Sequence, residues 1–266
     1  MKINKYTSFL IGFLLQNVIF WVGIQFSKIT DLPINLLYSF SNGFMATAAG
    51  IMGLLIAMHW GGTKSAVGRA VLFISLGTTS WGVGTLIWSY YNFVLHVPVP
   101  YPSWADAGYI TAVPFWMIGT FYLSKATGVK YGLKKKIGQI YLVILPIVTF
   151  ALSYYLLVTI ARGGSATSGG GLLKVFFDLA YPLGDVIIIT IAFLVYGLSF
   201  KYLGGRFKWP VLITLFGFVL MFISDFTFAY STTAGTYFNG HLADLLYTVA
   251  LFVISSGVAG FDIKEN

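Results

Sequence analysis

The sequence predicts an all-α integral membrane protein built from eight transmembrane helices. Three observations carry that expectation. Hydrophobic residues make up 58% of the 266 and charged residues only 9%, against roughly 25% charged in a soluble domain. The apolar residues fall in long continuous runs rather than ten-residue alternations, which argues against an outer-membrane barrel. The basic residues fall in the short segments between those runs.

A helix needs about 20 apolar residues to cross a hydrocarbon core roughly 30 Å thick. The first candidate, 7–26, follows the basic stretch Met1 to Lys5. No small-x-small cleavage site follows it, so it is expected to be a retained helix rather than a signal peptide. Further spans are expected at 36–58, 70–95, 105–124, 137–160, 174–200, 209–230 and 241–260. Gly61 to Lys64, Lys134 to Lys136, Gly163 to Gly171 and Gly204 to Arg206 punctuate them with loop composition.

Charge sets the expected orientation. Lys2, Lys5, Lys64, Arg69, Lys125, Lys130, Lys134, Lys135, Lys136, Lys201, Arg206, Lys208 and Lys264 fall on one side of an eight-span chain. Only Lys28, Arg162 and Lys174 fall on the other. The positive-inside rule then puts both termini in the cytoplasm of a multi-pass plasma-membrane protein. The net charge of +8 is thus a topological signal, and nucleic acid is not an expected partner.

The chain also looks duplicated within a single membrane domain. Ala105-Asp106-Ala107-Gly108-Tyr109 returns 138 residues later as Ala243-Asp244-Leu245-Leu246-Tyr247, and Gly119 returns as Gly257. Two four-helix halves, 1–136 and 137–266, would share one orientation, because four crossings return a chain to its starting side. Such parallel repeats are related by an axis along the membrane normal.

Five carboxylates stand out. Asp106 and Asp244 open the fourth and eighth spans. Ser103-x-x-Asp106 has the spacing of a capping box, in which a carboxylate near the third helical position offsets exposed amides. His241 stands three residues before Asp244 in the matching place. The alternative is a pair of symmetry-related carboxylates lining an outward vestibule. Asp178, Tyr181 and Asp185 share one face of the sixth span, and Asp185 lies roughly 16 Å into it. An ionisable group at that depth costs at least about 2.5–3.5 kcal/mol unless it meets a partner or water. Pro182 and Gly184 beside it suggest a kink. Asp225, after Ser224 in the seventh span, raises the same question. Either residue could be a buried acid bonded to a neighbouring hydroxyl, or a group facing a water-filled pocket. At the 138 offset, Asp178, Asp185 and Asp225 fall on Phe40, Thr47 and Ile87, so the intramembrane acids belong to the second half. Trp88, Tyr90, Tyr91, Tyr101, Trp104, Tyr109, Tyr230, Tyr237 and Tyr247 read mainly as an interfacial aromatic belt, with organic-cation binding as the lesser alternative.

Other chemistries lack their residues. There is no cysteine, no lysine inside a span for a Schiff base, and no pair of facing intramembrane histidines for haem. Nucleotide-binding, zinc-protease and serine-hydrolase motifs are missing. No enzyme activity and no cofactor is expected. A metal site from His96, Asp106, Asp225, His241 and Asp244 lacks helical ligand spacing beyond His241/Asp244.

Pro102-Ser103-Trp104-Ala105-Asp106-Ala107-Gly108-Tyr109 resembles the P-S-x-A-D-x-x-Y motif of a broad group of prokaryotic multi-helix membrane sensor regions. Those regions often precede diguanylate cyclase (GGDEF) or histidine kinase domains. Asp178 to Asp185, and Ser224-Asp225 followed by Gly235-x-Tyr237 and Asp244, look similar to the same pattern. Six residues follow Gly260, so this chain departs from the group in lacking an output domain there. The resemblance implies a stimulus-receiving module with an outward-facing polar pocket, an unknown small ligand and a cytoplasmic signalling partner. Asp106, Tyr109, Asp178, Tyr181, Asp185, Asp225, His241, Asp244 and Tyr247 are the candidate ligand-binding residues. A small-solute or cation transporter is the alternative, and a structural subunit of a membrane complex a third.

Overall fold

A computed structural model describes residues 5–27, 33–167, 169, 171–199 and 207–262. Lys2, Lys28, Lys201, Arg206 and Lys264, together with the Gly204 to Arg206 punctuation, lie outside the described residues. Within them the chain is helical, with no strand: α1 (Lys5–Ser27), α2 (Pro33–His59), α3 (Ala66–Phe93), α4 (Trp104–Ala126), α5 (Val129–Leu133), α6 (Lys136–Ser153), α7 (Leu172–Ser199), α8 (Lys208–Thr233) and α9 (Leu242–Ala259). Each long helix sits on one expected apolar run. The short α5 and a 3₁₀ turn at Gly62–Lys64 occupy basic connections. The continuation of α6 over Tyr154–Ile160 is widened to π geometry. α7 runs unbroken through Pro182.

Seven helices are long and apolar enough to cross a membrane: α1, α2, α3, α6 with its continuation, α7, α8 and α9. α4 has the length, 23 residues, but Asp106, Lys125 and its hydroxyl, glycine and aromatic residues make it less apolar. It packs tightly on α3 along one face and on α7 along another.

Close approach, rather than bulky interdigitation, builds the tightest pairs. Gly50 of α2 lies directly against the α3 backbone at Ser75 and Thr79, where a Cβ would collide. Small residues at a helix crossing let backbones approach in this way. The α3–α4 hairpin locks twice: Trp116 covers Gly77, and Gly119 lies on Ile74 and the Ala70 carbonyl. The α8–α9 hairpin locks in the same manner. Ile254 covers Gly217, and Gly257 lies on Thr214 and the Pro210 carbonyl. Gly119 and Gly257 stand 138 residues apart, whereas Gly77 and Gly217 stand 140 apart.

α1 packs on α2 and α9, and α6 packs on α7. One continuous core joins Met45, Ile56, Ile74, Trp116, Leu123, Leu215, Phe218, Leu251 and Ile254. The contact between α7 and α8 is sparse beside the α2–α3 contact. The candidate site lies in that looser seam.

Candidate functional site

Asp185 projects from α7 and Asp225 from α8, both partly buried. Their carboxyl groups are within hydrogen-bonding reach of one another. An ionised carboxylate can only accept, so a hydrogen bond between two carboxyls needs a proton on one of them. From α9, the Tyr247 hydroxyl donates to Asp225 Oδ1 at 2.7 Å. Tyr109, 138 positions earlier, has its hydroxyl 3.4 Å from Thr85 Oγ1. Asp225 stands 140 positions after Thr85, the spacing that separates Gly77 from Gly217.

The two carboxyls border a small cavity. Its walls come from Trp81 of α3, Val113 and Trp116 of α4, Tyr181, Ile188 and Ile189 of α7, and Phe218 and Met221 of α8. About 20 Å³ of it is open to the centre of a water molecule, roughly the room for one ordered water. On the C-terminal side of Asp185, apolar residues of both helices are buried. Ile188, Ala192, Val195 and Leu198 of α7, with Val211, Leu215 and Phe218 of α8, are all buried.

The remaining candidates are drawn elsewhere. Asp106 forms the expected capping box: its Oδ2 accepts the Ser103 amide at 2.7 Å. Its Oδ1 accepts the Tyr181 hydroxyl at 3.2 Å. Tyr181 therefore joins the cavity wall to the start of α4. Asp244 repeats this arrangement with a different tyrosine, taking the Gly240 amide at 2.7 Å and the Tyr237 hydroxyl at 3.0 Å. His241 caps α9, its Nδ1 accepting the Ala243 amide at 3.2 Å. Asp178 turns away from the cavity. Its carboxylate takes the Tyr101 hydroxyl at 2.9 Å and lies 3.8 Å from the Arg162 guanidinium. The shared face of Asp178, Tyr181 and Asp185 thus serves three separate partners, because α7 meets the 94–103 loop, α4 and α8 in succession. Among the described residues, no three His, Asp or Glu side chains are grouped to hold a metal ion.

The aromatic belt divides. Tyr90, Tyr101, Trp104 and Tyr230 are exposed as interfacial residues should be. Tyr109 and Tyr247 instead pack against Trp81, with ring centroids 4.5 and 5.1 Å away. Trp88 hydrogen-bonds Asn239 Oδ1 at 2.9 Å. Trp81 and Trp116, stacked at 5.7 Å, line the cavity although neither residue drew notice in the sequence. Apolar aromatics inside an apolar run carry no separate signal there. Outside the helices, loss of solvent around the hydroxyl pushes Tyr237, and Tyr101 whose ring is exposed but whose hydroxyl turns in on Asp178, up from the ordinary phenol value, and Asp244 and Asp178 add to the effect. Both stay hydrogen-bond donors.

No family model, curated protein or solved structure matches this chain.

Proposed function

We propose that this chain is a membrane-embedded receptor module whose input site is the Asp185–Asp225 cavity. The observation that carries this reading is a carboxyl pair bridging two sparsely packed helices beside a water-sized space. Ionisable groups in a bilayer are costly and mark functional sites. A ligand that bonds the pair differently in two arrangements of α7 and α8 would shift their balance, which is what a receptor requires. The burial of the apolar residues Ile188, Val195, Leu198 and Leu215 on the C-terminal side of Asp185 favours reception over passage.

The reading includes a topology: eight crossings, with α4 the fourth, and both termini in the cytoplasm of a prokaryotic plasma membrane. It also includes a 4+4 duplication. The matched glycine locks of the two hairpins support it, as do the paired Tyr109/Thr85 and Tyr247/Asp225 contacts. α4 packs on α7 as α9 packs on α2, the exchange expected of two halves about an axis along the membrane normal. The resemblance of 102–109 to membrane sensor regions points the same way, toward a cytoplasmic partner as the output.

The test compares the whole chain with Asp185→Asn, an isosteric change that preserves hydrogen bonding. Sodium, potassium, choline and pH are each titrated while thermal unfolding is followed in nanodiscs, and flux of the same ions is measured in proteoliposomes. A receptor shows an unfolding shift that the substitution alters, and no flux. Flux that Asp185→Asn abolishes would establish transport instead. Neither effect would leave a structural subunit as the better description.

A further inference from the structure

We infer that the basic ends of α3 and α4 form a binding site for an anionic phospholipid. Arg69 lies in the first turn of α3 and Lys125 in the last turn of α4. Both converge on Tyr122. The Arg69 guanidinium lies 5.2 Å and the Lys125 ammonium 5.4 Å from the centre of its ring. Arg69 also donates to the Tyr122 hydroxyl at 3.3 Å and to the Thr63 carbonyl. These contacts aim the cation but leave its charge uncompensated. Among the described residues, no carboxylate pairs with Arg69 or Lys125.

The surface next to these cations suits acyl chains. Pro114, Ile118, Phe121 and Lys125 are all exposed, and their i, i+4, i+7, i+11 spacing puts them on one face of α4. Lys125 ends that stripe, with its ammonium 4.4 Å above the Phe121 ring. Beside the stripe, Tyr122 stacks on Phe73 at 6.2 Å, and Phe73 meets Phe115 at 6.2 Å. One cation pair thus sits at the head of an apolar and aromatic track running along α4. That is the shape of a phospholipid, with a phosphate at Arg69 and Lys125 and chains against Ile118 and Phe121. Arginine suits the phosphate through its forked donors, and lysine adds a point charge. A lipid is favoured over a soluble anion because the charge and the exposed track are continuous. Basic pockets between transmembrane helices recognise headgroups in this way.

The experiment uses the full chain in a neutral detergent. Phosphatidylglycerol or phosphatidylcholine is titrated in, bound lipid is counted by native mass spectrometry, and thermal unfolding is followed in parallel. The expected result is preferential retention of phosphatidylglycerol, with a rise in unfolding temperature. Arg69→Gln/Lys125→Gln should weaken this by about tenfold or more, since each basic residue near an anionic surface contributes about 1 kcal/mol. Lys134→Gln/Lys136→Gln removes the same charge nearby and should leave it intact. Lys125→Gln alone alters only an exposed side chain, so it reports even if the Arg69 change disturbs the turn at Thr63. Equal binding of the two lipids would overturn the site. Equal loss in the Lys134/Lys136 variant would overturn it too, by showing diffuse surface charge. Saturation by millimolar inorganic phosphate would replace the lipid with a free anion.

Discussion

At the scale of single residues, four of the described carboxylates are satisfied by tyrosines. Asp106, Asp178, Asp225 and Asp244 each accept a phenol hydroxyl, from Tyr181, Tyr101, Tyr247 and Tyr237. A phenol brings a donor without a charge, so it satisfies a carboxyl where a lysine would bring a second ion into an apolar surround. Among the described residues no phenol bonds Asp185, which meets another carboxyl instead and so marks the candidate site. His241 gives a pH test. Burial lowers its pKa below the ordinary 6.5, and its neutral Nδ1 caps α9. The folded value is the lower one, so the cap's contribution is complete above the unfolded value. It is lost as pH falls through the folded value. The unfolding temperature in detergent is expected to drop as pH falls below the ordinary histidine value. His241→Asn, which keeps a capping oxygen but does not titrate, should remove that part of the slope. An unchanged slope would mean that the cap is not the titrating group.

At the scale of helices, the two hairpins depend on glycine where α3 meets α4 and α8 meets α9. A Cβ on Gly119 would lie 2.6 Å from Ile74 Cγ1 and 2.8 Å from its amide nitrogen. Gly119→Val and Gly257→Val should each destabilise the fold by about 1–3 kcal/mol, the usual cost of overpacking. Gly12 of α1 has nothing within 4 Å of where its Cβ would be. Gly12→Ala should be neutral or mildly stabilising, since alanine is the better helix former by about 0.5–1 kcal/mol. Chemical unfolding in a mixed micelle measures all three. Equal effects at Gly12 and Gly119 would show that the hairpin contact is not tight. The looseness of α7 against α8 belongs to the same scale. α7 packs more closely on α4 and α6 than on α8, and the Asp185–Asp225 pair lies in that sparser α8 seam.

At the scale of the whole molecule, α4 decides the topology. The chain has no cysteine, so single cysteines can report sidedness without background. His96, Thr63, Tyr131 and Thr236 are exposed positions on four different connections. Eight crossings require Thr63→Cys and Tyr131→Cys to label from one side of sealed vesicles, and His96→Cys and Thr236→Cys from the other. If α4 does not cross, His96→Cys and Tyr131→Cys will label together.

The sequence by itself determined the helices and their number of long runs, because burying apolar area and satisfying backbone hydrogen bonds in a bilayer both act locally along a chain. It also determined the Ser103–Asp106 cap, whose partners are three residues apart. Only the tertiary structure decided the site. Asp185 meets Asp225 although the two stand 40 positions apart in the chain. The same holds for Tyr109 and Tyr247, which composition assigns to the membrane surface and packing turns inward onto Trp81. Side-chain direction on a helix is readable from spacing, but the neighbour it finds depends on which helices approach closely. Here that was set by glycines whose partners lie far away in sequence.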